Sequence, residues 1–162
     1  MPRSPARVNV RLVALGHRMS PWVAAGVEEY TRRMPREYGL AIVELKPEPR
    51  DRGRTVAQLL AAEALRVEAA CAGAAIVALD ERGTLWTTRQ LADHLQQWRE
   101  ANADVAFVIG SADGLDTGFR RRAAARVALS AMTLPHGLVR ILLAEQLYRA
   151  ASILAGHPYH RE

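Results

Sequence analysis

At 162 residues and 17.8 kDa, with 49% hydrophobic and 24% charged residues, the chain suits one domain with a well-buried core and is not disordered throughout. No run of about 18 apolar residues exists, and Met1 to Arg11 lacks a continuous apolar segment, which excludes a membrane span and a secretory signal. The formal charge is +5, from 22 Lys+Arg against 17 Asp+Glu, and Lys46 is the only lysine; so strong an arginine bias is compatible with a nucleic-acid partner and equally with a codon preference.

Arg7 to Gly16, RVNVRLVALG, alternates Val8, Val10, Leu12 and Ala14 with polar neighbours before turning wholly apolar, which predicts a strand. Ser20-Pro21 has the form of an N-cap followed by proline at the first helical position. Val23, Val27, Tyr30 and Met34 continue at helical spacing until Pro35 ends the helix. Leu40 to Leu45 predicts a second strand, and KPEPRDRGR, residues 46–54, an exposed, mobile loop. Thr55 is placed to cap a helix running to about Cys71. Ala74 to Leu79 is a short apolar strand whose unbroken hydrophobicity fits burial on both faces of a parallel sheet. A helix over Thr88 to Ala101 presents Leu91, Leu95 and Trp98 on one side, and a strand over Val105 to Ile109 ends in Gly110. Thr117 to Ala125 predicts a short helix, Val127 to Leu134 a strand stopped by Pro135, and a last helix runs from about residue 137 to Ala155. The alternation implies an α/β fold, a mostly parallel sheet flanked by helices, in one domain over residues 1–162.

In an open parallel sheet, ligands bind beyond the carboxyl ends of the strands. Three strand ends stand out: Leu79-Asp80, Gly110 to Gly114, and Leu129 to His136. The Gly110 loop is neither GxGxxG nor GxxxxGK[ST], so the dinucleotide and P-loop readings fail. It is either a tight turn or backbone room for a ligand. Ser130 and Thr133 interrupt an apolar run, and His136 stands near a helix start. There a neutral His136, or an Arg, contacts an anionic ligand, or else Thr133 and His136 satisfy backbone groups near the helix start.

The last helix carries Leu138, Val139, Ile141, Leu142, Leu143, Leu147, Tyr148, Ile153 and Leu154 on more than one face. Its polar exceptions are chiefly Arg140, Glu145, Gln146, Arg149 and Ser152. Such a helix is covered twice, and the second cover expected here is another copy of the chain, a homodimer. Beyond Gly156, HPYHRE either frays or supplies Tyr159, His160 and Arg161 to stack on a base, bind phosphate and move a proton. Arg120-Arg121-Arg122 reads as a solvated helix face, the three tryptophans as core or partly buried anchors, and Cys71 as a small buried side chain. One cysteine and five scattered histidines give no disulfide framework and no metal site. The charge is uneven along the chain: residues 1–54 hold 11 basic and 6 acidic side chains, residues 55–116 hold 4 and 9, and residues 117–162 hold 7 and 2. Basic ends around an acidic middle suggest a face formed by the two termini.

Taken in order, VRLVALGHRMSPWVAAGVEEYTRRMP, IVALDERG, FVIGSADGL, LSAMTLPHGLVRILLAEQLYRAASI and the terminal HPYHRE resemble, over nearly the full length, the RlmH family of SPOUT-class methyltransferases. The resemblance implies methylation of N3 of a pseudouridine in large-subunit (23S) ribosomal RNA, displayed by the assembled ribosome, in the cytoplasm. It implies a C-terminal trefoil knot, which general topology rules would not propose, and a homodimer built on the knotted region. It also implies S-adenosylmethionine held by Leu79, Gly110, Leu129, Ser130, Ala131, Met132, Thr133 and Leu134. Candidates for handling the imide proton are His136, Arg140, Tyr159, His160 and Arg161, the tail ones in reach of the partner subunit's site. The family loop usually has two glycines and then Pro-Glu-Gly, where this chain has Gly110-Ser111-Ala112-Asp113-Gly114; Gly137 also replaces a commoner residue type. The reading of another class is a non-catalytic RNA- or ribosome-binding α/β protein.

Overall fold

A computed structural model describes residues 7–16, 18–51 and 53–161, the side chain of residue 160 excepted. Five strands and five helices alternate: β1 (Val8–Leu15), α1 (Pro21–Thr31), β2 (Tyr38–Leu45), α2 (Val56–Ala70), β3 (Ala74–Leu85), α3 (Thr88–Glu100), β4 (Asp104–Ile109), α4 (Thr117–Arg122), β5 (Ala125–Ala128) and α5 (His136–Leu154). A 3-10 turn, Pro158–Arg161, closes the chain. All strand pairs are parallel, in the order β2-β1-β4-β3-β5.

Alternate side chains explain the two layers. Val8, Val10 and Leu12 of β1, with Val105 and Phe107 of β4, pack with Leu91 and Leu95 of α3 and Leu143 and Leu147 of α5. Val13, Leu15, Ala78, Ala106 and Val108 point the other way, against Ala64, Val67 and Cys71 around α2 and Phe119 of α4. Central strands buried on both faces are therefore apolar at successive positions. Burial pushes the Cys71 thiol up to about 11, so it stays protonated and unreactive. Thr55 and Thr87 each form a reciprocal capping box, with Gln58 and Gln90. Ser20 occupies the cap position of α1 but makes no side-chain capping bond, so Pro21 alone sets that helix start.

Several boundaries differ from the sequence expectation, for physical reasons. β3 continues to Leu85 through an irregularity between Leu79 and Thr84, where Gly83 lies flat against the Arg126 backbone. β5 ends at Ala128, so Leu129–Leu134 is a loop rather than strand; Ser130 Oγ accepts from the Met132 N–H at 2.9 Å and turns the chain there. The helix after Thr117 stops at Arg122 instead of Ala125, and α1 stops at Thr31 instead of Met34. Residues 46–51 and 53–54 form the largely exposed loop expected, but the loop is tethered rather than free. Arg66 of α2 donates to the Lys46 carbonyl at 2.5 Å and pairs with Glu48 at 3.1 Å, and Arg54 pairs with Glu48 at 2.7 Å. Trp22 is 60% exposed rather than a core or partly buried anchor. Arg120 and Arg122 do not form a purely solvated face, since they pair with Asp80 and Glu68.

Candidate active site

The carboxyl ends of β4 and β5 and the irregular stretch within β3 after Leu79 open onto one cavity of about 530 Å³. Three segments wall it: Leu79–Arg82, Ile109–Leu115, and Val127–Leu134 without Ala131. Arg120, His136 and Val139 complete the lining. These are the three strand ends singled out in the sequence. Seven of the eight residues expected to hold a cofactor lie on the wall. Ala131 is exposed and off it.

Gly110 is where the wall is tightest. A Cβ there would lie 2.6 Å from the Gly114 carbonyl oxygen and 2.9 Å from Leu115 Cγ. Only glycine lets the loop fold back on itself so closely, and the Gly114 N–H to Ser111 carbonyl bond of 2.9 Å closes the turn. Gly114, at φ +84°, occupies the left-handed region that glycine adopts freely. On the opposite side Asp80, nearly buried, pairs with Arg120 Nη1 at 3.2 Å. Arg120 Nε is buried with no hydrogen-bond partner among the described residues. The cavity thus holds a fixed carboxylate and a guanidinium with spare donor capacity.

His136 and Arg140 sit one helical turn apart at the start of α5. Arg140 Nε donates to His136 Nε2 at 2.9 Å, so the ring proton is on Nδ1 and donates to the Gly110 carbonyl at 3.0 Å. Arg140 is 2% exposed and reaches Glu44 of β2 at 3.3 Å. Burial, and then the neighbouring Arg140 cation, push His136 below the usual imidazole range, against a smaller opposite pull from the Gly110 carbonyl. With both ring nitrogens engaged, His136 has no lone pair for a substrate proton. Its place is to tie α5 to the Gly110 loop.

This has a pH signature. The folded state keeps His136 neutral, so the unfolded chain takes up a proton first as pH falls below about 6.5. The stabilisation is complete above that pH and is lost as pH falls through the lowered folded value. Urea midpoints measured from pH 7.5 to 5 should fall, and His136→Gln should show a shallower slope; parallel slopes would show that the ring is not held neutral.

The tail residues lie elsewhere. Tyr159 donates its hydroxyl to Glu145 Oε1 at 3.1 Å, packs on Tyr148 with ring centroids 4.6 Å apart, and lies under the Arg149 guanidinium at 4.8 Å. Arg149 Nε also donates to Glu145 Oε1, at 2.8 Å. Burial and then the Glu145 charge push the Tyr159 phenol up to about 12, so it remains a donor at neutral pH. Arg161 is exposed, and the side chain of His160 lies outside the described residues. Neither Tyr159 nor Arg161 lines the cavity. In the sequence Glu145 and Arg149 stand out only as polar exceptions on α5. Their i, i+4 spacing was the available signal that they share a face. Among the described residues no group of three or more His, Cys, Asp or Glu could hold a metal ion, and no helix is long and apolar enough to cross a membrane.

Solved structures share this architecture. A probable methylase family protein of Haemophilus influenzae aligns with a TM-score of 0.59 at 15% identity, covering 94% of this chain and 70% of that one. A probable methyltransferase of Bordetella pertussis aligns at 0.55 and 20%, covering 90% and 96%. These likenesses speak for the fold. The family described as "Predicted SPOUT methyltransferase" matches residues 8–160. A protein of Nitrosospira multiformis is 56% identical over 149 residues, 91% of this chain and 96% of its own length; one of Burkholderia ambifaria is 56% identical over 151 residues, 93% and 97%. Both relatives are called Ribosomal RNA large subunit methyltransferase H. The chain belongs to the SPOUT methyltransferases and, within them, to the RlmH family.

Proposed function

We propose that this protein is an S-adenosylmethionine-dependent methyltransferase acting on N3 of a pseudouridine in large-subunit (23S) ribosomal RNA, as a cytoplasmic homodimer working on the assembled ribosome. The carrying observation is the cavity at the ends of β4 and β5 beside the irregular stretch of β3, whose backbone at Gly110 has no room for a side chain. The names of the close relatives support the RNA class, and the sequence resemblance supports the base and the atom.

The residues present fit the donor. About 530 Å³ is the size expected for a nucleoside-sized ligand with an extra arm. Leu79, Gly110, Leu129, Ser130, Met132, Thr133 and Leu134 form apolar and backbone-lined walls for it, and Arg120 offers charge to an anionic end. When bound, S-adenosylmethionine supplies a methyl group on a sulfonium, a good leaving group, so alignment of the acceptor nitrogen accounts for much of the rate. We read the passage from β5 through residues 129–135 into α5 as the threaded segment of a trefoil knot.

The remaining work falls to the tail. His136 and Arg140 are committed to each other and to the Gly110 loop, so they position rather than transfer protons. Tyr159 stays protonated, with its hydroxyl given to Glu145 and its ring packed on Tyr148, so it anchors the tail. Arg161 can stabilise the anion left when the imide proton leaves, with His160 as the group to accept that proton. Within one chain the tail is pinned to α5 by Glu145 and Tyr148, away from that chain's cavity. A second copy therefore brings it to the site. Trp22 on α1, Leu138 and Leu142 on α5 and Met132 on the preceding loop, 60%, 37%, 39% and 78% exposed, give an apolar face for that copy.

Mass spectrometry of 23S rRNA from cells with and without the gene should show one methyl group lost from one pseudouridine. Calorimetry should show donor binding to the dimer; no binding and no lost methyl group would favour a non-catalytic RNA-binding protein. Removing residues 157–162 should abolish methyl transfer to ribosomal subunits while donor binding stays measurable. Full transfer by the truncated protein would overturn the tail's role.

A further inference from the structure

The segment between β2 and α2 ends in an unusual position: tied to the cavity wall. Glu63 of α2 is 1% exposed, and its buried carboxylate is the anchor. Its Oε1 accepts from the Glu48 N–H at 3.0 Å and from Arg50 Nη1 at 2.7 Å, while Oε2 accepts from Ser111 Oγ at 3.0 Å. Arg50 then spans from the anchor to the loop. Its Nη1 also donates to the Glu48 carbonyl at 2.8 Å, its Nη2 to Ser111 Oγ at 3.0 Å, and its Nε and Nη2 to Asp113 at 3.1 and 3.0 Å. A planar, five-donor fork is the side chain that can hold a backbone carbonyl, a buried carboxylate, a hydroxyl and a surface carboxylate at once.

Ser111 and Asp113 both lie on the cavity wall, and Arg50 does not. Ser111 stands where the family loop usually has its second glycine. A glycine there would leave Glu63 Oε2 and Arg50 Nη2 each short of a partner. Within the loop one backbone bond, Gly114 N–H to the Ser111 carbonyl, closes the turn, and the Ser111 and Asp113 side chains are held from outside by Arg50 and Glu63.

We propose that Arg50 is a positioning residue: with Glu63 it fixes the Ser111–Gly114 backbone, so that residues 46–51 act as a strap that raises affinity for the methyl donor without touching it. The proposal rests on the donor site argued above. A loop ordered before the ligand arrives loses less conformational freedom on binding, and this gain appears in the donor's dissociation constant rather than in the chemical step. Exposed ion pairs contribute little by themselves, but the fork here ends on a buried carboxylate, where removing one partner leaves the other uncompensated.

The test uses the full-length protein and two readouts. In the protein without ligand, Arg50→Ala should speed hydrogen exchange of the amides at 110–115 about tenfold, and Asp113→Asn should act in the same direction. Calorimetry should show the dissociation constant for S-adenosylmethionine raised about tenfold in Arg50→Ala, with the rate at saturating donor within about twofold of the parent. Arg50→Lys should recover part of the loss, since an ammonium reaches Glu63 but cannot fork onto Asp113. Unchanged exchange in Arg50→Ala and Asp113→Asn, or a rate loss with no change in donor affinity, would overturn the strap. If Arg50→Ala does not fold, Arg50→Gln carries both measurements, because Ser111 and Asp113 line the cavity and their variants would alter donor contacts directly. If the unmodified protein binds no donor, the donor reading fails, while the exchange comparison still decides whether the strap orders the loop.

Discussion

Replacing Gly110 with alanine is expected to weaken donor binding at least about 100-fold and to destabilise the fold by roughly 1–3 kcal/mol. The added Cβ would lie 2.6 Å from the Gly114 carbonyl oxygen and 2.7 Å from its carbon. Both are backbone atoms, so no rotamer change relieves the overlap. The turn from Ile109 to Leu115 has to open, and the Gly110 carbonyl moves off the His136 Nδ1–H that it now accepts at 3.0 Å. One methyl group thereby disturbs a cavity wall and the contact that ties α5 to it. Gly53→Ala is the control for the unfolding measurement, because nothing lies within 4 Å of a Cβ there. Calorimetry with S-adenosylmethionine and urea unfolding of the two variants check this; near-parental affinity in Gly110→Ala would mean that the turn is not part of the donor site.

Arg140→Ala should cost more stability than Arg140→Met, about 2–4 kcal/mol against about 1. Arg140 is among the largest fully buried side chains, and its neighbours Leu12, Val23, Val27 and Ile42 border a small void of about 190 Å³. Truncation to alanine enlarges that void and leaves His136 Nε2 without its donor. Methionine refills most of the volume, and Glu44, 51% exposed, is hydrated once the guanidinium is gone. Both variants release the His136 ring from the adjacent cation, so the pH dependence of unfolding should become shallower in each. Denaturant titration at pH 7.5 and 5.5 separates the packing loss from the electrostatic one. Equal costs for alanine and methionine would show that charge, rather than volume, holds this position.

The alternation of strands and helices was legible because each element carries its own local signal. Thr55 and Thr87 precede helices with glutamine three residues on, and β4 is an apolar run between polar ends. The three cavity walls were legible from a general rule about strand ends. The order β2-β1-β4-β3-β5 was not, because pairing partners of similar apolar strands are chosen by tertiary packing. The 129–134 loop was misread as strand since an apolar run has the same appearance whether it pairs or lines a cavity. The strap is the exposed loop that its Pro, Gly and Arg content implies; its restraint is not legible, because the residues that hold it, Glu63, Ser111 and Asp113, are distant in sequence. His136 was noticed, but its pairing with Arg140 and Gly110, which removes it from proton transfer, exists only in three dimensions.

The strand order has a consequence for how the chain reaches this state. β4 occupies the slot between β1 and β3, both made earlier in the chain, and its register sets Val10 opposite Val105. Until residue 109 is available, β1 and β3 each keep an unpaired inner edge, and the helices that will cover them have no continuous sheet to cover. A chain emerging from the ribosome therefore cannot complete its core piece by piece from the N-terminus. Pairing this one six-residue strand with β1 closes a loop of nearly a hundred residues, from Val10 to Val105, a contact whose chain entropy is spent before the packing around it can form.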